Sequence, residues 1–310
     1  MAFTAQDVAK LREMTGVGMM DCKKALTAVD GDMAKAAEYL REQGMAVAAK
    51  KADRIASEGA VVAAVSTNKK VGALVEVNCE SDFVGKNPAF IAVADAIAKV
   101  VVKENPKDND ALLAAKTGKT TVLDLINEQT TKIGEKLSLR RFVRFEINNG
   151  YQETYLHMGG KIGVLLEVAT DKELAKDKKF VEMTKNVAMH IAAMNPSYTY
   201  ETEVPASEVE KEKEILLAQV ANDEKNKGKP AQVVENIVKG KIKKYFKEIC
   251  LVEQEYVKDS SMNVGSYVAS IAKEIGADIK LVKFVKFMMG EGLEKKSDNL
   301  AEEVAKMQNK

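Results

Sequence analysis

The fold of this chain is set by the segment Val71-Gly72-Ala73-Leu74-Val75-Glu76-Val77, because a similar segment occurs a second time. The second segment, Ile162-Gly163-Val164-Leu165-Leu166-Glu167-Val168, lies 91 residues further along the chain. Another similar pair, Arg141-Phe142-Val143-Arg144-Phe145 and Lys283-Phe284-Val285-Lys286-Phe287, is separated by 142 residues. The sequence therefore predicts one structural unit used twice, with 51 additional residues inserted into the second copy.

Each copy begins with a predicted β-hairpin. Its strands comprise residues 60–66 and 71–78 in copy one, and residues 151–157 and 162–168 in copy two. Polar or glycine-containing segments separate the strands, as tight turns require. A helix follows; in copy one it begins at Asn87-Pro88, a pair typical of a helix N-cap and first helical position.

A second helix and a third strand complete each copy. The helix is predicted near residues 121–137 in copy one and 264–275 in copy two. The third strand of copy one alternates Val143, Phe145 and Ile147 with charged residues, which predicts one buried face and one solvated face. We therefore expect an α+β fold with two subdomains, each a three-stranded antiparallel sheet covered by helices.

The first 50 residues are predicted to form a module of three short helices. Apolar residues recur at helical spacing in the second and third of them, and Gly44 is expected to end the third. Met19 and Met20 lie where the second helix begins. Because adjacent residues cannot share one helix face, we expect at least one of these methionines to be exposed for a partner.

The inserted segment, about 197–248, has a divided charge pattern. Residues 208–224 contain six acids and two lysines, whereas residues 225–247 contain eight lysines and one acid. This pattern predicts an antiparallel helical hairpin whose acidic arm lies against its basic arm. Such a hairpin is expected to mediate association, either with a second copy of the chain or with another partner.

Composition excludes several classes of protein. The 310 residues carry 47 Lys and Arg against 46 Asp and Glu, a net charge of +1, which disfavours direct binding to nucleic acid. No apolar run approaches the roughly 18 residues of a membrane helix. Three separated cysteines are typical of a reducing compartment. We expect a cytoplasmic protein that does not bind membranes.

Signals for catalysis are weak. The two histidines, His157 and His190, are far apart, and no metal-ligand spacing or complete nucleotide fingerprint occurs. We predict no catalytic residue, metal or cofactor. An enzyme of the Cys/His type would require Cys79 and His157 to approach each other in the fold.

One segment departs from the internal repeat. After its hairpin, copy one has Asn78-Cys79-Glu80-Ser81-Asp82-Phe83-Val84-Gly85-Lys86-Asn87, in which a Phe and a Val follow two acids. Copy two has Ala169-Thr170-Asp171-Lys172-Glu173-Leu174-Ala175-Lys176 at the same place, an ordinary polar approach to a helix. Two interpretations remain open. Phe83 could tuck under the sheet as an anchor for the next helix, or a rigid loop could present it as an apolar wedge beside a carboxylate.

Two longer segments carry a resemblance to a known family. Thr15-Gly16-Val17-Gly18-Met19-Met20-Asp21-Cys22-Lys23-Lys24-Ala25-Leu26 resembles the N-terminal signature of the bacterial elongation factor Ts family. Glu76-Val77-Asn78-Cys79-Glu80-Ser81-Asp82-Phe83-Val84 resembles the second signature of that family. The resemblance covers nearly the whole chain. It implies a guanine-nucleotide exchange factor for elongation factor Tu, in which the front module is similar to a ubiquitin-associated domain.

The resemblance also implies an order of domains. These are a three-helix ubiquitin-associated-like module (1–50), core subdomain one (56–148), core subdomain two (149–290) with the inserted hairpin, and a C-terminal helical tail (291–310).

The resemblance further implies which residues meet the partner. Asp82 and Phe83, within the segment Ser81–Val84, would enter the GTPase domain near GDP and dislodge Mg²⁺. Met19 and Met20 would touch the same domain, Ile133 and Gly134 would form another contact, and His157 a contact away from the nucleotide. The terminal segment 299–310 would also dock. The main alternative is a ubiquitin-associated-like binding scaffold without exchange activity, which gives no reason for the loop at Phe83.

Overall fold

The computed structural model describes residues 3–15, 17–226 and 229–294. Within these residues the protein is α+β, as predicted. The helices are α1 (Ala5–Thr15), α2 (Met19–Ala28), α3 (Met33–Lys50), α4 (Asp82–Gly85), α5 (Pro88–Glu104), α6 (Asn109–Ala114), α7 (Val122–Ile133), α8 (Lys178–Met194), α9 (Ala206–Asn222), α10 (Ala231–Ile249) and α11 (Val264–Ile275). The strands are β1 (Glu58–Val65), β2 (Val71–Cys79), β3 (Lys116–Thr117), β4 (Thr120–Thr121), β5 (Ser138–Glu146), β6 (Gly150–His157), β7 (Ile162–Thr170), β8 (Glu255–Tyr256), β9 (Asp259–Asn263) and β10 (Ile279–Met288).

The repeated segments form the central strands of two antiparallel sheets. One sheet has the order β1-β2-β5 and the other β10-β7-β6, so both predicted hairpins and both third strands are confirmed. Helix α5 begins at Pro88 as predicted, and the Asn87 side chain caps it by accepting from the Ala89 N–H at 2.9 Å. Helix α11 has the predicted bounds, whereas α7 ends earlier because Gly134 adopts a left-handed conformation, φ 84°.

The predicted solvated face of the third strand is only partly solvated: Glu146 is exposed, but Arg144 is covered. Val143 and Phe145 pack toward the second sheet, in a cluster that includes Leu165. On the opposite face, Phe142 packs against the helices, and the Arg144 guanidinium donates to the Val102 carbonyl at 3.3 Å. Both faces are therefore covered up to Arg144, because the two sheets pack on each other and helices cover their outer sides.

The two sheets interlock through residues that are equivalent in the repeat. Leu74 of β2 and Leu165 of β7 are fully buried in one apolar cluster. A Cβ atom on Gly72 would lie 2.6 Å from Leu165, and a Cβ on Gly163 would lie 2.8 Å from Leu74. Each sheet therefore uses a glycine to admit the leucine of the other, and any larger side chain would push the sheets apart.

A buried carboxylate adds a second link between the copies. Glu76 of β2 is fully buried and pairs with Arg140 and Arg141 of β5, at 2.8 and 2.7 Å. Its Oε1 also accepts from the Gly290 N–H at 2.8 Å, just beyond the end of β10. These bonds compensate the cost of burying the charge and attach the end of copy two to copy one.

The N-terminal helices differ from prediction at one position. Gly44 was expected to end the third helix, but α3 continues through it to Lys50. A Cβ atom on Gly44 would lie 3.2 Å from the Thr131 hydroxyl of α7. The glycine therefore permits close packing of α3 on α7, and this tertiary contact outweighs its poor helix propensity.

The inserted segment forms the predicted antiparallel hairpin of α9 and α10. Its small core contains Leu216, Val220 and Val238, and the Tyr245 hydroxyl donates to Glu208 at 2.6 Å across its base. The ion pairs described within α9 and α10 each join residues of a single helix. Apolar packing and the Tyr245–Glu208 hydrogen bond therefore hold the two arms together, rather than ion pairs between an acidic and a basic arm.

Every helix in the described part of the chain is too short or too polar to span a bilayer.

The glycine interlock predicts a large effect of a small substitution. Gly163→Ala should lower the free energy of unfolding by about 1–3 kcal/mol, because Val61 and Leu74 must move to accommodate the new methyl group. Denaturant unfolding measures this value. Gly240→Ala is the matched control: nothing lies within 4 Å of its Cβ position on α10, so it should stabilise the protein by up to about 1 kcal/mol. Equal stability of the two variants would contradict the interlock.

The buried His190 predicts a dependence of stability on pH. Its Nδ1 accepts from the Val257 N–H at 3.2 Å, and its Nε2 lies 3.0 Å from Gln254 Oε1. Burial lowers the pKa of His190 below the usual 6.5, since a charged ring would lose its solvation. The contribution of neutral His190 to the free energy of unfolding is therefore fully present above pH 6.5, and it is lost as the pH falls toward the folded-state pKa. Unfolding midpoints should decrease over that range in the native protein, and less in His190→Gln. If the unfolding midpoints of the native protein and His190→Gln decreased equally, His190 would not be the source of the pH dependence.

Candidate functional site

The segment Ser81–Val84 projects from the fold rather than folding under the sheet. Phe83 is 84% exposed, so the interpretation that it anchors the next helix internally is wrong. It lies in the one-turn helix α4, which the Ser81 hydroxyl caps by accepting from the Val84 N–H at 3.4 Å. The wedge interpretation is the one that this exposure supports.

Close backbone packing holds this loop in place. Gly85 ends α4 and lies against Gly59 of β1; a Cβ atom on Gly85 would be 2.9 Å from the Gly59 carbonyl oxygen. Buried Cys79 donates its thiol to the Ser81 carbonyl at 3.1 Å. The backbone on both sides of Phe83 is thus fixed, although its ring makes little contact with its own chain.

Asp82 presents a carboxylate beside the exposed ring. The Lys86 ammonium donates to it at 2.6 Å and is the main reason that the pKa of Asp82 is lowered, with a smaller contribution from the charge of Lys161. Asp82 is therefore ionised at neutral pH. The loop combines an apolar surface with a negative charge.

The structure brings Ile133 and Gly134 next to this loop. Gly134 ends α7, and the following residue, Glu135, accepts from the Ser81 N–H at 2.9 Å and from the Ser81 hydroxyl at 2.6 Å. Gly134 is exposed and Ile133 half-buried. Sequence reasoning missed Glu135. The signal available was its absence from copy two, where Ala277 follows the equivalent Ile275-Gly276.

His157 occupies the exposed end of the second hairpin. Its Nδ1 lies 3.0 Å from the Tyr155 hydroxyl, and the two rings stack with centroids 5.9 Å apart. The turn that follows packs on β1, where the Val61 N–H donates to the Gly160 carbonyl at 2.8 Å. Strand β1 thus supports both this turn and, at Gly59, the helix that carries Phe83.

Met19 and Met20 are both exposed, at 44% and 64%, which confirms the predicted exposure. They lie at the start of α2, which packs on the N-terminal half of α3. The C-terminal half of α3 runs parallel to α7: Arg41 pairs with Asp124 at 2.7 Å near the start of α7, and Lys51 donates to the Gly134 carbonyl at its end. The methionines and Phe83 therefore lie toward opposite ends of α7.

A Cys/His constellation at Cys79 and His157 does not form. Cys79 is buried and contacts Ser81, whereas His157 is exposed and contacts Tyr155. Burial, with the nearby charge of Glu135, raises the pKa of the Cys79 thiol to about 12, so the thiolate needed for nucleophilic attack is scarce at neutral pH. Among the described residues, no group of three His, Cys, Asp or Glu side chains is placed to hold a metal ion. The predicted terminal contact, 299–310, lies outside the described residues.

The packing of Gly85 on Gly59 predicts that the loop is intolerant of a methyl group. Gly85→Ala should lower the free energy of unfolding by about 1–3 kcal/mol and accelerate amide hydrogen exchange in residues 82–86, because backbone atoms must move. Lys86→Ala removes only an exposed ion pair and should change stability by less than about 1 kcal/mol. Unchanged loop protection in Gly85→Ala would show that this packing does not hold the loop.

Comparison with known proteins identifies relatives along the whole chain. The family model described as "Elongation factor TS" matches residues 80–291. The chain is 48% identical over 308 residues to elongation factor Ts of Clostridium perfringens (strain SM101), covering 99% of each protein. It is 47% identical over 308 residues to that of Clostridium botulinum (strain Alaska E43), again with 99% of each covered. Identity to the protein of Trichlorobacter lovleyi is 45% over 309 residues, with 98% of each covered.

Proposed function

Because the chain belongs to the elongation factor Ts family, and so acts in translation elongation, we propose that it is a guanine-nucleotide exchange factor for elongation factor Tu. In this proposal it binds the GDP-bound partner, promotes release of GDP and remains bound to the nucleotide-free form. It performs no covalent chemistry. The observation that carries the proposal is the 84% exposed Phe83, presented beside ionised Asp82 on a fixed backbone.

Exchange requires that the factor bind the nucleotide-free partner more tightly than the loaded one. A GTPase holds GDP through a phosphate cradle and a Mg²⁺ ion that neutralises the phosphate charge. By linkage, if the factor lowers the partner's affinity for GDP, then GDP lowers the partner's affinity for the factor by the same ratio. Insertion of Phe83 among the elements that position Mg²⁺, with Asp82 disturbing their hydrogen bonds, would provide this antagonism.

One side chain does not supply enough free energy. Burying a Phe side chain contributes about 1.5–3 kcal/mol. A shift of about four decades in affinity requires roughly 5.5 kcal/mol of differential binding. The proposal therefore assigns further partner contacts to Met19 and Met20, to Ile133 and Gly134, and to His157, with Ser81 and Val84 flanking the wedge.

The arrangement of these residues supports a binding free energy that is shared among several contacts. Arg41–Asp124 and Lys51–Gly134 attach the front module to α7, and Glu135 attaches α7 to the loop at Ser81. We propose that the front module and the two core subdomains act as one frame that contacts the partner at several points. Binding energy gained at a distant contact can then be used to drive Phe83 into place.

Phe83→Ala tests the wedge directly. The variant should slow GDP release from elongation factor Tu at saturating factor by about 10- to 100-fold, the equivalent of the lost apolar burial. Stopped-flow release of a fluorescent GDP analogue measures the rate. Val257→Ala is a matched control, because Val257 is also an exposed apolar residue, at 47%, but lies in copy two outside the proposed contacts.

Two results would count against the proposal. Equal release rates for Phe83→Ala and the native protein would reject the wedge. Stable capture of elongation factor Tu that excess GDP does not reverse, without any acceleration of release, would favour the binding scaffold.

A further inference from the structure

We infer that Glu135 is a positioning residue for exchange: its carboxylate holds the backbone of the Phe83 loop in the orientation that lets the ring reach the partner. This inference rests on the proposed function. Glu135 itself is only partly exposed and has no role in the predicted contacts. Its effect would be exerted through Ser81, two residues before the exposed ring.

The geometry is that of a two-point clamp. Glu135 Oε2 accepts from the Ser81 N–H at 2.9 Å, and Glu135 Oε1 accepts from the Ser81 hydroxyl at 2.6 Å. The same Ser81 hydroxyl caps α4. Hydrogen bonds to an ionised carboxylate are stronger and more directional than neutral ones, so this pair fixes both the position and the rotation of the loop.

A reciprocal bond strengthens the connection. The residue before Ser81, Glu80, accepts from the N–H of Lys136, the residue after Glu135, at 2.7 Å. Each of the two chain segments therefore offers a carboxylate to the backbone of the other. Since one segment carries Phe83 and the other follows Ile133-Gly134, the clamp joins two proposed contact regions into one rigid unit.

Copy two shows that the fold itself does not require the Glu135 clamp. The position equivalent to Glu80 is Asp171, which accepts from the Asp278 N–H at 2.8 Å, so that bond is conserved between the copies. The positions equivalent to Ser81 and Glu135 are Lys172 and Ala277, which cannot form the clamp; the Lys172 ammonium instead donates to the Gly276 carbonyl, so copy two closes the same junction by a different bond. The clamp occurs only in the copy that carries the exposed Phe, and this association points to a function beyond closure of the repeat.

Two variants test the inference through kinetics. Glu135→Ala should lower the maximal rate of GDP release from elongation factor Tu about tenfold and leave the half-saturating concentration of the factor within about twofold, because orientation is lost but contact area is kept. Glu135→Gln, which still accepts at one oxygen, should retain part of the rate. In a Phe83→Ala background, Glu135→Ala should cause no further loss, because there is no ring left to orient.

A second measurement separates positioning from folding and from the proposed function. Amide hydrogen exchange in the free protein should show faster exchange in residues 82–85 of Glu135→Ala, without any partner present. Asp171→Ala is the matched control: it breaks the conserved bond of copy two and should leave the release rate unchanged.

Full activity of Glu135→Ala, unchanged protection of its loop, or an equal loss with and without Phe83 would each overturn the inference. A normal GDP release rate with Phe83→Ala would instead reject the proposed wedge. Amide hydrogen exchange in residues 82–85 would still show whether Glu135 holds the loop.

Discussion

The structure depends on the contact between two sheets in which Gly72 and Gly163 each leave room for a leucine of the other copy. The buried pair Leu74 and Leu165 removes apolar surface from water, and the missing glycine side chains allow the backbones to approach. Because of this contact, each sheet packs against the other sheet on one face and against helices on the other. The contact also sets β1 against the second hairpin, so His157 and the loop at Phe83 share one supporting strand.

The duplication separates the residues that hold the fold from those of the candidate site. The central strands, their glycines and leucines, and the bond from Glu80 or Asp171 to a backbone N–H are present in both copies. The exposed Phe83 and the clamping Glu135 are present in one. The packing that stabilises the fold is present in both copies. Copy one can therefore present an exposed apolar ring that does not pack in its own core.

Charge is distributed differently in the interior and at the surface. Although the net charge is only +1, the interior contains a fully buried carboxylate, Glu76, which two arginines and a backbone N–H compensate. In copy two the equivalent Glu167 is also buried; it accepts from Gln152 at 2.7 Å and lies 3.6 Å from the Lys283 ammonium. At the candidate site, Asp82 is instead exposed, and within residues 3–15, 17–226 and 229–294 its salt bridge is to Lys86, so its charge remains accessible to a partner.

The sequence by itself determined the repeat, the hairpins, the cap at Asn87 and the departure at Asp82-Phe83, because these depend on local pattern and on comparison of the chain with itself. Tertiary structure alone decided four other features: the partly covered polar face of the third strand, the continuation of α3 through Gly44, the outward direction of Phe83, and the pairing of Glu135 with Ser81. Each of these depends on contacts between segments that are distant along the chain. Local propensity describes only neighbours in sequence, whereas close packing and buried hydrogen bonds depend on which surfaces meet after folding.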